Sequence, residues 1–221
     1  MASTSSGFAV PNRRVVRRQQ TIEDALDAAV EIMEGSGVGS LSMSEVARRV
    51  GMRQPSLYKY FSSLHALFDA LFARGLRQTD EVVMAACELL PPGVARIRAG
   101  GSAWVRWAVE NPALSQLFVW RPVPGFNPTE ETFSGSRDQM DVLRTEFAQA
   151  VHLRQLRADA LSEEALRLYT VVLSGLISQQ LANQPGVGYD AGIFSSLTDT
   201  AFDLFFARYA DTGGSDADSR P

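Results

Sequence analysis

The chain has 221 residues, 45% hydrophobic and 21% charged, an ordinary globular composition that argues against general disorder. No apolar run approaches the ~20 residues that span a bilayer, and the Arg-containing first twenty residues lack the hydrophobic stretch of a secretory signal; a cytoplasmic address is expected. Net charge is −4, yet residues 1–77 hold ten basic and seven acidic residues (+3) against 11 and 18 (−7) in the remainder, a basic head on an acidic body.

Residues 1–19 are Ser- and Arg-rich without periodicity and are expected to form a flexible arm. From Thr21 the residues Ile22, Ala25, Leu26, Ala29, Val30 and Met33 fall on one helical face. The run from Gly35 to Gly39 stops that helix, because glycine readily takes the left-handed conformation at a helix C-terminus. Ser42 opens a short helix with Glu45 three residues on, a capping-box pattern, and Gly51 ends it. Pro55 then sits where a helix's first turn accepts proline, in a second short helix carrying Leu57, Tyr58, Tyr60 and Phe61. Ser62 or Ser63 caps the next, whose stripe is Leu64, Leu67, Phe68, Leu71, Phe72 and Leu76.

Beyond Pro91-Pro92 the period stays helical: about 93–110, then Asn111-Pro112 starting a short helix to about Val119. The loop from Arg121 to Pro128 precedes a long helix to about Gln155, and Ser162 caps another to about Asn183. A Gly/Pro loop over 184–192 leads to a last helix ending near Tyr209. The predicted fold is all-α: an arm over 1–19, a three-helix helix-turn-helix domain over 20–75, a helical body over 76–210 and a disordered tail over 211–221.

Within 42–61, Ala47, Gly51 and Leu57 are what two steeply crossed short helices need: close approach, a turn, and an aliphatic lock. Val46, Val50 and Leu57 are expected to share a core with Leu26 and Ala29. The run from Leu41 to Phe61, with its Gln54-Pro55-Ser56-Leu57-Tyr58 segment and following aromatic pair, closely resembles the DNA-binding domain of tetracycline-repressor-like (TetR) regulators, over about residues 20–75. The resemblance implies a homodimer, a helical effector domain behind the DNA-binding head, and repression relieved by a small molecule.

On this resemblance the helix starting near Gln54 lies in the major groove of double-stranded DNA. Arg53, Gln54 and Ser56 face base edges, where Gln pairs with adenine and Arg with guanine; Pro55 meets a thymine methyl, as the resemblance implies. Tyr58, Lys59 (the only lysine of the chain) and Tyr60 match phosphate-gripping positions, and Ser42 and Ser44 offer donors at a helix N-terminus. Where the family usually has a lysine, this chain has Leu64. Arg48 or His65 are candidate substitutes, and Arg13, Arg14, Arg17 and Arg18 are candidates for reaching a minor groove as a flexible arm.

The last two helices are apolar on more than one face, so each must be covered on two sides. One side packs on its own subunit; the other, with Val172, Leu176, Leu197, Ala201, Leu204 and Phe205 as candidates, meets a twin in a two-fold homodimer, which requires a palindromic operator. The segments Trp107–Pro112 and Phe118–Pro128 resemble the C-terminal domain of a TetR subgroup bearing a Trp-His-Gly signature, of which only Gly175 is present in the corresponding run. Trp104, Trp107, Leu117, Phe118, Trp120, Phe126, Met140, Leu143, Phe147, Tyr169 and Leu173 are candidate lining for an apolar or aromatic effector, with Gln116, Ser174 and Gln179 as polar handles.

Enzyme chemistry finds no foothold: His65 and His152 stand alone, the lone Cys87 can close no internal disulfide, and no phosphate loop, dinucleotide fingerprint or nucleophile elbow is present. No cofactor, metal or membrane partner is expected. Two alternatives stay open: a DNA-binding regulator without a small-molecule ligand, and a helical protein-interaction dimer whose head has lost DNA binding.

Overall fold

A computed structural model describes residues 13–211; arm residues 1–12 and tail residues 212–221 lie outside the described residues. Every regular element among the described residues is helical, with one isolated antiparallel bridge between Leu156 and Ala210. The described residues divide into two compact units, with the boundary between residues 70 and 71.

The first unit holds α1 (Arg13–Ser36), a 3-10 turn at Val38–Ser40, α2 (Met43–Arg49), α3 (Gln54–Leu57) and the start of α4 (Leu64–Cys87). Its core is Leu26, Ala29, Ile32, Met33, Val46, Ala47, Leu57 and Phe61, all buried, whereas Val50 is only half-buried. Residues 13–19, expected as a flexible arm, are instead the first turns of α1. The side chains explain why. Gln19 donates to Glu23 and Gln20 to Asp24, each at 2.8 Å, pairs one turn apart that support an exposed helix.

Helix α2 starts on Ser42, whose Oγ accepts from the Glu45 amide at 3.3 Å. Only half of the expected capping box forms. The Glu45 carboxylate turns to the Arg48 guanidinium, at 2.9 and 2.6 Å, instead of back to the cap. Gly51 then takes φ +67°, the left-handed conformation that lets the Met52 amide return to the Ala47 carbonyl at 2.8 Å. Regular α3 is shorter than predicted, covering only Gln54–Leu57, and Tyr58 to Phe61 follow as a tight turn closed by Lys59 N–H to Ser56 and Tyr60 N–H to Leu57.

In the second unit α5 (Val94–Glu110) is packed by α6 (Pro112–Val119), α7 (Glu130–His152), α8 (Glu163–Asn183) and α9 (Thr198–Tyr209). Ser162 caps α8 as expected, accepting from the Ala165 amide at 3.1 Å. Helix α7 stops three residues before the predicted end, because Arg154 turns left-handed at φ 55° and the Gln155 amide folds back to the Ala150 carbonyl. Phe194 and Leu197 precede α9 instead of lying in it. The buried Gln180 holds that approach, its Oε1 accepting from the amides of Phe194 and Ser195 at 3.1 and 3.2 Å.

Candidate nucleic-acid interface

The α3 segment presents its polar residues outward. Arg53, Gln54, Pro55 and Lys59 are exposed, Ser56 and Tyr60 half-buried, and Tyr58 is 45% exposed although it is a large aromatic. Leu57, between them, is fully buried and fixes which way the row faces. Gln54 and Tyr58 share a face one turn apart, with Gln54 Nε2 3.5 Å from the Tyr58 hydroxyl. At the other end, Arg18 of α1 donates to the Lys59 carbonyl at 3.2 Å and lies 5.0 Å from the Tyr60 ring centroid.

The neighbouring arginines of α2 are engaged elsewhere. Arg48 pairs with Glu45, which holds that carboxyl below its ordinary range, and Arg49 reaches Glu31 at 2.9 Å. Ser42 is half-buried in its capping role, and Ser44 is exposed 3.2 Å from the Ser42 hydroxyl. Arg48 is therefore an ion-paired surface residue, a poor replacement for a lysine at position 64.

In the second unit the residues expected to line one pocket stand in different surroundings. Phe147 and Tyr169 belong to a filled aromatic core with Phe202 and Phe205: ring centroids lie 5.6 Å apart for Phe147–Tyr169 and 5.4 Å for Tyr169–Phe205. The Tyr169 hydroxyl donates to the Ile97 carbonyl at 2.7 Å, and burial pushes its pKa well above the ordinary phenol value. Trp107 and Phe118 form a second cluster with Phe72, so close to α4 that a Cβ on Gly75 would stand 2.6 Å from the Phe118 ring. Trp120, by contrast, is 44% exposed and donates to Ser178 at 3.2 Å.

Leu117, Phe126 and Leu173 are buried, and Trp104, Met140 and Leu143 half-buried. Of the polar handles, Gln116 and Ser174 are half-buried and Gln179 is exposed, bonded to Asn183. An open groove of about 500 Å³ between α4 and α5 is lined by Val82, Ala86, Ala99, Ala103 and Trp107, with Arg106, Glu110 and Tyr189. Trp107 alone connects it to the predicted lining. Among the described residues no cluster of three or more His, Cys, Asp or Glu is placed to hold a metal, and no helix is long and apolar enough to cross a membrane.

Residues 25–71 match the N-terminal domain of the bacterial regulatory proteins of the tetR family, and residues 97–201 match the tetracyclin repressor-like C-terminal domain. The chain belongs to the TetR family. Among relatives, an HTH-type transcriptional regulator of Bacillus subtilis, YobS, is 32% identical over 88 residues, 39% of this chain and 45% of that protein. The chain spans about half the length of the curated relatives it matches. A TetR-family transcription regulator from Marinobacter aquaeolei superposes with a TM-score of 0.68 at 16% identity, covering 89% of this chain and 99% of that one. FadR of B. subtilis, solved with stearoyl-CoA, gives 0.68 at 13% identity over 84% and 97%. At these identities the structures share the fold alone.

The matched N-terminal stretch is the helix-turn-helix domain of the family, and the matched C-terminal stretch is the helical domain that follows it. Of the candidate dimer residues, Leu197 and Leu204 are 48% and 73% exposed, and Val172, Leu176 and Ala201 half-buried. Phe205 is corrected: it points into the aromatic core of its own unit, 3% exposed, one residue round the helix from Leu204. Reasoning from sequence named Arg18 only as part of a groove-reaching arm, not as a partner of Lys59 and Tyr60, and it missed Arg106 and Asp190. Partners 41 and 84 residues away carry no local signal, and only the density of arginines before Thr21 marked Arg18 out.

Proposed function

We propose that this TetR-family protein is a sequence-specific, homodimeric repressor that leaves its palindromic operator when a small apolar or aromatic effector binds. The observation that supports the DNA-reading part is the exposure of Arg53, Gln54, Pro55, Tyr58 and Lys59 on and around α3; in this reading Arg53, Gln54, Pro55 and Ser56 meet bases, Tyr58, Lys59 and Tyr60 meet phosphates, and Ser42 and Ser44 at the start of α2 offer donors to a phosphate. An exposed aromatic such as Tyr58 beside an exposed amide and the only lysine of the chain has no packing purpose in the unit itself. The cytoplasm, where DNA is met, is the place such a protein works.

Dimerisation is supported by the apolar residues α8 and α9 leave in solvent. Leu168 and Val171 are exposed on α8 beside the half-buried Val172, and Leu197, just before α9, is followed at four- and three-residue steps by the half-buried Ala201 and the exposed Leu204. Exposed leucines and valines at such spacing on adjoining helices form a self-complementary patch of the kind a two-fold axis covers.

For the effector, the open groove supplies apolar surface, with Trp107 of the aromatic pair Trp107–Phe118 in its lining. FadR, of the same fold, holds stearoyl-CoA. The filled core around Tyr169 favours the second reading, a regulator without a small-molecule ligand.

The test is fluorescence anisotropy with labelled DNA from upstream of the protein's own gene, with Gln54→Ala/Tyr58→Ala beside the wild type. Tight, salt-sensitive binding that the variant loses supports the reading. Equal binding of both proteins to that DNA and to duplexes recovered from a random library sinks it.

A further inference from the structure

The first two turns of α1 lie before the stretch that matches the family's DNA-binding domain, which starts at residue 25. Residues 13–20 are exposed throughout, so these turns add nothing to the buried core of their own unit. They carry Arg13, Arg14, Arg17 and Arg18, and no acidic residue stands in the first turn of the helix. Four arginines within two turns make a dense positive patch that attracts an anionic partner.

We propose that the start of α1 is a second DNA-gripping element, a row of arginines fixed beside α3 by Arg18 and closing on backbone phosphates that flank the bases α3 reads. This rests on the reading of α3 as the recognition element. Three observations select the partner and the mode of contact.

Continuity comes first. The Arg18 guanidinium bonds the Lys59 carbonyl and covers the Tyr60 ring, so the basic turns leave the unit from beside two residues assigned to phosphates. Spacing is second. Arg13 and Arg17 are one helical turn apart, about 6 Å along the axis, which suits two long side chains reaching neighbouring phosphates of one strand. Shape is third. A helix with its side chains is about 10–12 Å across and the B-DNA minor groove about 6 Å wide. These arginines, being helical, do not enter that groove as a flexible arm would. They act as positive charges on the backbone, adding affinity and salt dependence without sequence preference.

Arg13 and Arg17 are the pair to change, because Arg18 holds α3 in place. Arg13→Gln/Arg17→Gln keeps helix propensity, since Gln and Arg are close in that scale. Arg13→Lys/Arg17→Lys keeps the charge. Binding of each full-length protein to a mixed-sequence 30-bp duplex, and to a duplex recovered by selection with the wild type, is measured between 50 and 200 mM salt.

The expected result is that the Gln pair lowers the slope of log K against log salt by about 1.8 per protomer, at about 0.9 for each phosphate no longer neutralised. Both duplexes weaken by the same factor, the nuclease footprint shortens at its flanks, and the Lys pair restores slope and footprint. An unchanged slope and footprint overturns the proposal, and so does a weakening confined to the selected duplex, which would make these arginines base readers. If the wild type binds neither duplex, the reading of α3 fails and the proposal with it. If the wild type binds and the Gln pair is indistinguishable from it, the proposal alone fails.

Discussion

Arg106 and Asp190, 84 residues apart, meet as a two-pronged ion pair: Nη1 and Nη2 of the arginine each lie 2.6 Å from one carboxylate oxygen, and the same guanidinium lies 4.3 Å from the centroid of the Tyr189 ring. The pair straps the loop between α8 and α9 to α5 at the open groove. The hydrogen bond from Arg106 is the main cause that lowers the Asp190 carboxyl below its ordinary value.

A lowered carboxyl pKa in the folded state contributes stability that is full above the unfolded value and disappears as pH falls through the folded value. The strap should therefore hold at neutral pH and stay closed to a pH below the usual carboxylate range. Both groups are open to solvent, so the effect is local. Hydrogen exchange of amides 189–195 is expected to rise several-fold in Arg106→Gln at pH 7, with Tm moved by less than about 2 °C. An equal difference between the two proteins at a pH where Asp190 is protonated would show that Arg106 holds the loop by some other interaction.

Leu57 is the lock of the helix-turn-helix. It is fully buried, directly between the outward-facing Ser56 and Tyr58 of the recognition segment. Leu57→Ala is expected to cost about 2–5 kcal/mol, the range for deleting a buried leucine. Because the first unit is small, this should appear in denaturant melts as early loss of helix, with DNA binding lost in parallel. A Leu57→Ala protein with wild-type midpoint and affinity would show that the buried leucine does not hold the recognition segment.

How much of this was readable beforehand follows from which signals are local. Ser42, Gly51, Ser162 and the apolar stripe from Leu67 to Leu76 act within a turn or two of themselves, and their helices appear where the sequence places them. Arg13 to Gln20 lack an apolar stripe because their support is polar and one-turn-spaced, so they read as an arm and form a helix. The aromatic set expected around one pocket is distributed over different surroundings. Large rings at buried positions fill space as readily as they line it, and Phe147 and Tyr169 fill it. Composition alone does not separate those outcomes. Phe205 and Leu204 show the same limit at one-residue scale, since a rotation of about 100° around α9 decides which is core and which is surface.

The filling is tight enough to test at Gly101. A Cβ there would meet the Tyr169 hydroxyl and stand 2.7 Å from Phe202 Cζ. Gly101→Ala is thus expected to destabilise by about 1–3 kcal/mol through overpacking, although alanine is the better helix former. Tyr169→Phe removes the hydroxyl, losing the bond to the Ile97 carbonyl at a cost of about 1 kcal/mol, and it also clears the space. The double variant should therefore be less destabilised than the two single effects combined, a coupling read from chemical denaturation. Strict additivity would mean that the backbone of α5 shifts to accommodate the methyl group without involving Tyr169.

Leu204 is the strongest test of the dimer. It is 73% exposed on α9, Val171 is 64% exposed on α8, and neither has a role in the core of the unit. Leu204→Arg places a charge where the proposed twin packs. If the two-fold interface is right, the variant sediments as a monomer at concentrations where the wild type is a dimer, because an unpaired charge buried in an apolar interface costs several kcal/mol. Its own fold, read by far-UV circular dichroism, should persist, since Phe205 and Phe202 still fill the core behind it. Operator binding should fall far more steeply than binding to a single half-site, because one head cannot span two successive major grooves. A Leu204→Arg protein that remains dimeric would move the interface away from α9, and a wild type that is monomeric at micromolar concentration would remove the dimer from the proposed function while leaving the head as a single-site DNA reader.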